Sequence, residues 1–260
     1  MKGDPIITVR GLRKAFPTNG GELVAIDGLS FEVREGWITA IVGPNGCGKT
    51  TLLRILAGLE EPTGGSVEID GNPIRGPGAD RGMVFQEFAL FPWRTVLGNV
   101  KFGLEVKGVP KDEAEAAAMR FIELVGLKGF EGRYPRELSS GMKQKVAFAR
   151  ALVNDPRVVL MDEPFASLDA QTRNLMQEEL LRIWEATGKT ILFVTHSVDE
   201  AIFLSDEVIV LTQRPARVKK IFNIDLPRPR DRTSLRFNEL RRLVLKELSE
   251  ELRAANGAAY

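Results

Sequence analysis

The residue types and spacing of a phosphate-binding loop occur in one stretch of this chain, Gly43-Pro44-Asn45-Gly46-Cys47-Gly48-Lys49-Thr50-Thr51. The stretch matches the pattern G-x-x-x-x-G-K-[ST], in which the glycines let the backbone curl and turn its N–H groups inward. The helix that follows adds its positive N-terminal end. Lys49 would place a cation on the β- and γ-phosphates, and the Thr50 hydroxyl would be a ligand for Mg²⁺. The pattern therefore predicts that the chain binds a nucleoside triphosphate.

Two adjacent carboxylates, Asp162 and Glu163, end the apolar run that begins at Val158. Ligands of open α/β sheets bind at the carboxyl ends of the strands, so this position suits a catalytic pair. Asp162 would hold the Mg²⁺ of MgATP, and Glu163 would polarise the attacking water as general base. By itself such a pair would be interpreted as a solvated acidic turn, and the phosphate loop upstream is what favours the catalytic interpretation.

Two more polar side chains stand at the ends of apolar runs. His196 is the chain's single histidine and follows Ile191–Val194 and Thr195. Its imidazole would donate to a γ-phosphate oxygen and help to align the water. The amide of Gln86, after the run at residues 82–85, has an oxygen for Mg²⁺ and a polar group that senses the γ-phosphate. A lone histidine is more often structural and surface loops often carry glutamine, so both roles depend on the neighbouring motifs.

Short apolar runs alternating with helical patterns predict the framework that positions these side chains. Continuous apolar runs suit strands buried on both faces of a parallel sheet, joined by right-handed crossovers. The pattern between about 88 and 153 is mainly helical, and two β-rich stretches near the N-terminus predict antiparallel strands. A proline-punctuated connector and an amphipathic helix over 236–252 follow residue 213. The predicted strands are 6–10, 29–34, 37–42, 66–71, 82–86, 158–161, 191–194 and 208–211, and the other predicted helices are 49–58, 111–125 and 172–187.

The composition argues against a nucleic-acid-binding protein, a disulfide-linked protein and a membrane-spanning protein. The 260 residues carry 36 basic and 35 acidic side chains, and the net charge of +1 gives no bias toward nucleic acid. Cys47 is the only cysteine, so an internal disulfide is impossible and a reducing compartment is expected. No apolar run approaches the ~20 residues that cross a bilayer, and Met1–Pro5 lacks an apolar signal segment. Any membrane-spanning part is expected to come from another chain.

Together these motifs closely resemble the ATPase subunit of ATP-binding-cassette (ABC) transporters over residues 6 to about 212. The family's diagnostic segment matches Leu138-Ser139-Ser140-Gly141-Met142, just upstream of the acidic pair. The resemblance implies that Ser139, Ser140 and Gly141 of one subunit close on the ATP held by a second copy. Ser140 departs from the family, which usually has glycine there. A side chain at that position would crowd the partner's nucleotide or add a hydrogen bond, which leaves the ATPase rate and dimer affinity open.

The resemblance implies a fold and further site residues. The fold is an α/β P-loop NTPase (RecA-like) core with an antiparallel β subdomain and an inserted helical subdomain at about 88–153. The cassette would span 1–212, with 213–260 as a C-terminal extension. Phe16 matches the aromatic residue that stacks on adenine, with a core phenylalanine as the alternative. Asp169, in Ser167-Leu168-Asp169, matches the loop that couples the two ATP sites across the dimer. Cys47 occupies a position for a small residue, although a helix N-terminus would lower its thiol pKa and permit alkylation.

The amino-acid sequences of several segments look most like those of the nitrate, sulfonate and taurine importer branch of the family. These segments are Phe91-Pro92-Trp93, residues 165–170, residues 211–217 and residues 225–230. The stretch Leu90–Val100 resembles the segment that receives a coupling helix from the membrane subunit, with buried core of the helical subdomain as the alternative. The implied partners are a second copy of the chain, integral-membrane permease subunits and, indirectly, a solute-binding protein, with no nucleic acid. The implied location is cytoplasmic, peripheral on the inner face of the membrane, and ATP and Mg²⁺ are the implied cofactors. Two alternatives stay open: an ABC-type ATPase of nucleic-acid maintenance, and a nucleotide-sensing regulatory subunit with weak hydrolysis.

Overall fold

The computed structural model describes residues 4–257 of the chain, with side chains placed through residue 251. No helix within these residues has the length and apolar character needed to cross a membrane. The strands are β1 Pro5–Thr18, β2 Gly21–Arg34, β3 Ile38–Val42, β4 Gly64–Ile69, β5 Asn72–Pro73, β6 Arg81–Val84, β7 Val158–Asp162, β8 Thr190–Thr195, β9 Glu207–Leu211 and β10 Val218–Asn223. The helices are α1 Lys49–Ala57, α2 Val96–Val100, α3 Phe102–Val106, α4 Lys111–Leu124, α5 Ser140–Leu152, α6 Ala170–Thr187, α7 Val198–Leu204 and α8 Leu235–Gly257, with a short 3₁₀ helix at Pro135–Glu137.

The described chain divides into two units, residues 4–78 with 190–257 and residues 79–189. The first unit contains an antiparallel sheet in the order β2-β1-β4-β5 and a second set of strands in the order β10-β9-β3-β8. In that second set β3 pairs in parallel with both β8 and β9. In the second unit β6 and β7 pair in parallel, and helices α2 to α6 make up most of the rest. The boundaries of the cassette and the helical subdomain stay a prediction.

Every residue of β3, β8 and β9 is buried, as expected for parallel strands covered on both faces. The strand β3 leads directly into the predicted loop and then into α1. The helix α1 ends at Gly58, whose φ of +74° suits the left-handed C-cap that glycine adopts most easily. A Cβ at this position would lie only 2.1 Å from the carbonyl oxygen of Gly76. Close backbone contact therefore fixes where α1 stops.

The C-terminal segment contains more regular structure than the sequence predicts. The strand β10, which was not predicted, pairs antiparallel with β9. The predicted terminal helix is confirmed as α8, with Phe237 and Val244 fully buried on its apolar face. Leu252, the last residue of the predicted helix, lies outside the residues whose side chains are described.

Two arginines of the C-terminal segment hold the end of α7. Arg228 forms an ion pair with Asp206 at 2.6 Å and donates to the carbonyl of Leu204. Arg230 is buried and donates to backbone carbonyls, among them that of Ser205 at 2.6 Å. Burial lowers the pKa of Arg230 to about 10, with a smaller contribution from the charge of Arg228. The cations lie at the negative end of the helix dipole, where they stabilise the helix that begins two residues after His196.

Replacing Arg230 by Met is expected to lower the free energy of unfolding by about 3 kcal/mol, because several buried carbonyls lose their donor. The measurement is the urea midpoint with its slope, and the control is Arg236→Met at an exposed position in the first turn of α8. If the two variants unfold at the same urea concentration, Arg230 does not have this structural role.

Candidate functional site

The backbone of the predicted phosphate loop turns sharply where β3 passes into α1. Gly48 is the N-cap of α1 and has a φ of +117°, which residues with a side chain rarely adopt. A Cβ there would lie 3.1 Å from the carbonyl oxygen of Ala25. The first turn of α1 contains no acidic residue, and the side chain of Thr50 is exposed. The loop therefore presents a helix N-terminus, with its excess of N–H groups, without a competing carboxylate.

Lys49 lies along the inside of the same loop. Its ammonium group donates to the carbonyls of Gly43 at 2.8 Å and Pro44 at 3.0 Å, and the residue is 6% exposed. These carbonyls hold the ammonium within the curl of the loop, where a phosphate oxygen would meet it. The cradle, the cation and the hydroxyl of Thr50 all come from one short segment, and this arrangement fits a polyphosphate chain.

The structure contradicts the expectation that the pKa of the Cys47 thiol is lowered and that the thiol is open to alkylation. The side chain is only 1% exposed. Burial raises the pKa of the thiol, and this outweighs the lowering by the charges of Lys49 and Arg214. A buried thiol with a raised pKa is a poor nucleophile, so Cys47 is a small packing residue of the loop.

His196 occupies an exposed bend between β8 and α7 in the first unit. The residues on each side hold this bend, because the Thr195 hydroxyl donates to Glu200 at 2.7 Å and accepts from the Ser197 N–H at 3.0 Å. Ser197 in turn caps α7 by accepting from the N–H of Glu200. The imidazole thus stands at the carboxyl end of the strand that pairs with β3, on the same edge as the phosphate loop.

Phe16, predicted to stack on adenine, lies near the end of β1 and is half-buried. The ammonium of Lys14 lies 4.8 Å from the centroid of its ring, within the range of a cation–π interaction. Lys14 itself is held by Glu60 at 2.6 Å and by the carbonyl of Glu61 at 2.7 Å. The ring therefore has a defined position with part of its surface open. Sequence reasoning missed Lys14 because its partners are more than forty residues away in the chain.

In the second unit the acidic pair stands at the end of β7, as predicted. Asp162 is the last residue of the strand and is 8% exposed, and Glu163 follows in a half-buried position. Glu163 has a φ of +44°, in the left-handed region that residues with a side chain seldom occupy. Backbone strain of this kind is maintained at functional sites, so it supports a chemical role for Glu163.

Gln86 lies two residues beyond β6 and is exposed. The backbone after it is unusual, because Phe88 and Ala89 both have positive φ. Arg150 of α5 holds this turn by donating to the carbonyls of Phe88 at 2.9 Å and Ala89 at 2.6 Å. Sequence reasoning did not find this role of Arg150, since the contact joins residues about sixty positions apart.

Three predicted in-trans residues stand at the start of α5. Ser139 is the N-cap and accepts from the N–H of Met142 at 3.3 Å. Ser140 is the first helical residue and is half-buried, while Gly141 is buried. A Cβ on Gly141 would lie 3.0 Å from the Cγ2 of Thr172. The packing of α5 on α6 therefore requires a small residue at 141 but imposes no such limit at 140.

Asp169 is the N-cap of α6, where its carboxylate accepts from the N–H groups of Thr172 and Gln171 at 3.0 and 3.1 Å. These hydrogen bonds, that from Thr172 above all, lower the pKa of Asp169. Asp169 thus has a structural task within this chain, as the cap of α6.

The residues predicted to hold Mg²⁺ are chemically suitable for it. Thr50, Gln86 and Asp162 offer a hydroxyl, an amide oxygen and a carboxylate, which are the hard oxygen ligands that Mg²⁺ prefers. Within the described residues no group of three His, Cys, Asp or Glu side chains is arranged to hold a metal. The oxygens of Thr50, Gln86 and Asp162 therefore suit an ion that also takes phosphate oxygens and water as ligands.

Comparisons with known proteins give a consistent result. A family model described as ABC transporter matches residues 26–166. An uncharacterized ABC transporter ATP-binding protein of Methanocaldococcus jannaschii is 58% identical over 246 residues, which are 95% of this chain and 92% of that protein. The nitrate import ATP-binding protein NrtD of Synechocystis is 45% identical over 231 residues, 87% of each chain. The aliphatic sulfonates import ATP-binding protein SsuB of Bacillus cereus is 42% identical over 242 residues, 93% of this chain and 95% of that one.

A solved structure has the same fold. The dimeric structure of an ATP-binding cassette in a post-hydrolysis state, bound to ADP and Pi, has a TM-score of 0.73 and 29% identity, covering 85% of this chain and 100% of its own. The predicted fold class, a P-loop NTPase core with an antiparallel β subdomain and an inserted helical subdomain, is confirmed.

Cys47 is expected to react with a disulfide reagent at least about 100-fold more slowly in the native protein than in urea, because it is buried and its thiol pKa is raised. The measurement is the rate of thiol release at pH 7.5 under both conditions. Stoichiometric labelling of the native protein within seconds would contradict this assignment.

Proposed function

This chain belongs to the ABC transporter family of ATP-hydrolysing subunits, and from that premise we propose that it powers the import of a small anion such as nitrate, an aliphatic sulfonate or taurine. The observation that carries the proposal is the phosphate loop, in which a helix N-terminus and the ammonium of Lys49 lie within one curl of backbone. The solute class is supported by the similarity to proteins named for nitrate and aliphatic sulfonate import.

In this proposal the first unit binds the nucleotide. The N–H groups at the start of α1 and the Lys49 ammonium bind the β- and γ-phosphates, and Phe16 stacks on adenine. Thr50, Gln86 and Asp162 would hold Mg²⁺, and the charge of the ion would offset that of the phosphate oxygens. The remaining loop residues from Gly43 to Thr51 shape the cradle through their backbone.

Hydrolysis is assigned to two side chains. Glu163 accepts a proton from water as the water oxygen attacks the γ-phosphorus, and the bond to the leaving ADP oxygen breaks. His196 donates to a γ-phosphate oxygen and keeps that group in line with the water. The positive φ of Glu163 supports this role, because a strained backbone conformation gives its side chain a defined starting position.

A second copy of the chain completes the proposed site. Ser139, Ser140 and Gly141 would meet the partner's ATP through the N-terminus of α5, and Asp169 would link the two sites. The dimeric structural neighbour with ADP and Pi supports this arrangement. ATP would stabilise the closed pair, and hydrolysis would reopen it.

The permease subunits would contact the turn between Phe91 and Thr95, on the inner face of the membrane. Asn99 is fully buried and holds this turn through hydrogen bonds to Phe91, Arg94 and Thr95. The turn leaves Trp93 71% exposed, next to the ring of Phe91. A rigid, exposed aromatic side chain is typical of the centre of a protein interface. A solute-binding protein would act on the permease, and nucleic acid has no place in this scheme.

Replacing Glu163 by Gln is expected to reduce steady-state phosphate release at least about 100-fold while MgATP binding is kept, because only the base is lost. The variant should form ATP-bound dimers that light scattering detects. Lys49→Ala is the comparison, and it should lose the thermal stabilisation by nucleotide, about 2.7 kcal/mol at a hundredfold excess over Kd. Normal turnover in Glu163→Gln, or monomers at saturating MgATP, would refute the mechanism.

Replacing Trp93 by Ala should leave the ATPase activity of the purified subunit unchanged but weaken permease binding at least about thirtyfold, since interface tryptophans contribute about 2 kcal/mol or more. Uptake of labelled nitrate, taurine and an alkanesulfonate is measured in cells whose own copy is deleted and replaced by each variant. Leu235→Ala, at another exposed apolar residue, is the control. Equal uptake by the two variants would place the permease contact elsewhere.

A further inference from the structure

The segment that follows β9 runs beside the phosphate loop. Because β9 and β3 are paired parallel strands, with Val210 opposite Val42, their carboxyl ends emerge next to each other. A Cβ on Gly43 would lie 3.1 Å from the Cβ of Leu211. At the other end of the loop, a Cβ on Gly48 would lie 3.6 Å from the Cβ of Ala216. Residues 211–216 therefore flank the loop from its beginning to its end.

Arg214 is the cationic residue of this segment. Its Nη2 lies 3.7 Å from the position that a Cβ on Gly46 would occupy, so the guanidinium is beside the tip of the loop. The side chain is exposed, and within the described residues it makes no ion pair or hydrogen bond. Its charge also lowers the pKa of the Cys47 thiol, although burial has the larger, opposite effect.

The backbone that carries Arg214 is fixed from three directions. The Gln213 N–H donates to Glu251 of α8 at 3.0 Å. The Thr212 hydroxyl donates to the carbonyl of Pro215 at 3.1 Å, which closes the turn around Arg214. Beyond the turn, the Ala216 N–H donates to the carbonyl of Ala25 in β2 at 2.9 Å. The guanidinium is thus exposed at the end of a side chain whose base is held in place.

The charges around Arg214 point to an anionic ligand. The nearby groups of the loop are backbone N–H donors and the Lys49 ammonium, and the first turn of α1 has no acidic residue. A guanidinium beside other positive groups, without a carboxylate partner, is satisfied best by an oxyanion such as phosphate. A purely structural arginine would be expected to have protein acceptors, as Arg230 does.

We propose that Arg214 binds the polyphosphate chain of the nucleotide from the side of β9, and that Glu251 of α8 keeps the segment around Arg214 in place. This inference rests on the nucleotide binding proposed above. It assigns a task to the C-terminal segment, whose role the sequence pattern does not reveal. The ligand class is a nucleoside di- or triphosphate, recognised through its phosphates and not through its base.

The test is calorimetric titration of the full chain with ATP, ADP, inorganic tripolyphosphate and adenosine. Arg214→Gln is expected to weaken ATP, ADP and tripolyphosphate binding about two- to fivefold, which is the upper range for an exposed charged contact, and to leave adenosine binding unchanged. The loss should shrink as salt is raised, and Arg214→Lys should restore part of the affinity.

Arg236→Gln removes the same charge elsewhere and should bind like the wild type. Glu251→Ala, which removes the acceptor of the Gln213 N–H, should weaken the same three ligands by a smaller factor.

Each contrary outcome has a distinct meaning. Wild-type affinity in Arg214→Gln, together with lost binding in Lys49→Ala, would overturn the role of Arg214 and leave the proposed nucleotide site standing. Equal losses for adenosine and ATP, or a lower Tm without nucleotide, would show a structural role and also overturn it. Unchanged binding in Glu251→Ala would remove α8 from the inference. A wild-type chain that binds no ATP would refute the proposed function itself.

Discussion

The N–H groups at the start of a helix cannot all be paired within that helix, and the nucleotide-binding part of this protein is organised around that deficit. The buried strand β3 delivers the chain to the sheet edge, and Gly48 turns it through a φ of +117° into α1. Lys49 then lies against the carbonyls of the loop and not out in solvent. Since the residues around the cradle are donors or cations, an anion is the ligand that relieves the deficit. The neighbouring strands contribute further groups at the same edge, including His196 after β8 and Arg214 after β9.

Backbone strain marks the segments to which chemistry is assigned. Among the described residues, the non-glycine positions with positive φ are Asp70, Phe88, Ala89, Asp155 and Glu163. Three of these five are Glu163 itself and the pair that follows Gln86. Arg150 compensates for the strain after Gln86 through two hydrogen bonds to carbonyls. Strained conformations persist where surrounding contacts fix them, so both segments have defined rather than adaptable backbones.

The sequence predicted what depends on local pattern and missed what depends on distant contacts. Continuous apolar runs located β3, β7, β8 and β9 to within one residue at each end, because buried parallel strands must be apolar throughout. The strand β10 was missed because all six of its residues are half-buried or exposed and prolines flank it. The pKa of the Cys47 thiol was wrongly predicted to be lowered. The sequence shows the helix N-terminus but not the surrounding residues, whose burial of the side chain raises that pKa. Arg150 donates to backbone far away in the sequence, and Arg214 lies beside a loop that is also distant in the sequence, so no local signal identifies either position.

The residues at the start of α5 and α6 separate the demands of folding from those of function. Ser139 and Asp169 cap their helices, and a Cβ on Gly141 would lie 3.0 Å from the Thr172 methyl group, so all three residues have a structural explanation within this chain. Ser140 is different, since it has an ordinary helical backbone and half-buried surroundings that accept a side chain. The fold therefore does not require the glycine that the family usually has at this position. Any effect of the Ser140 side chain is therefore expected on a group that approaches the N-terminus of α5 from outside. In the proposed dimer this group is the partner's ATP.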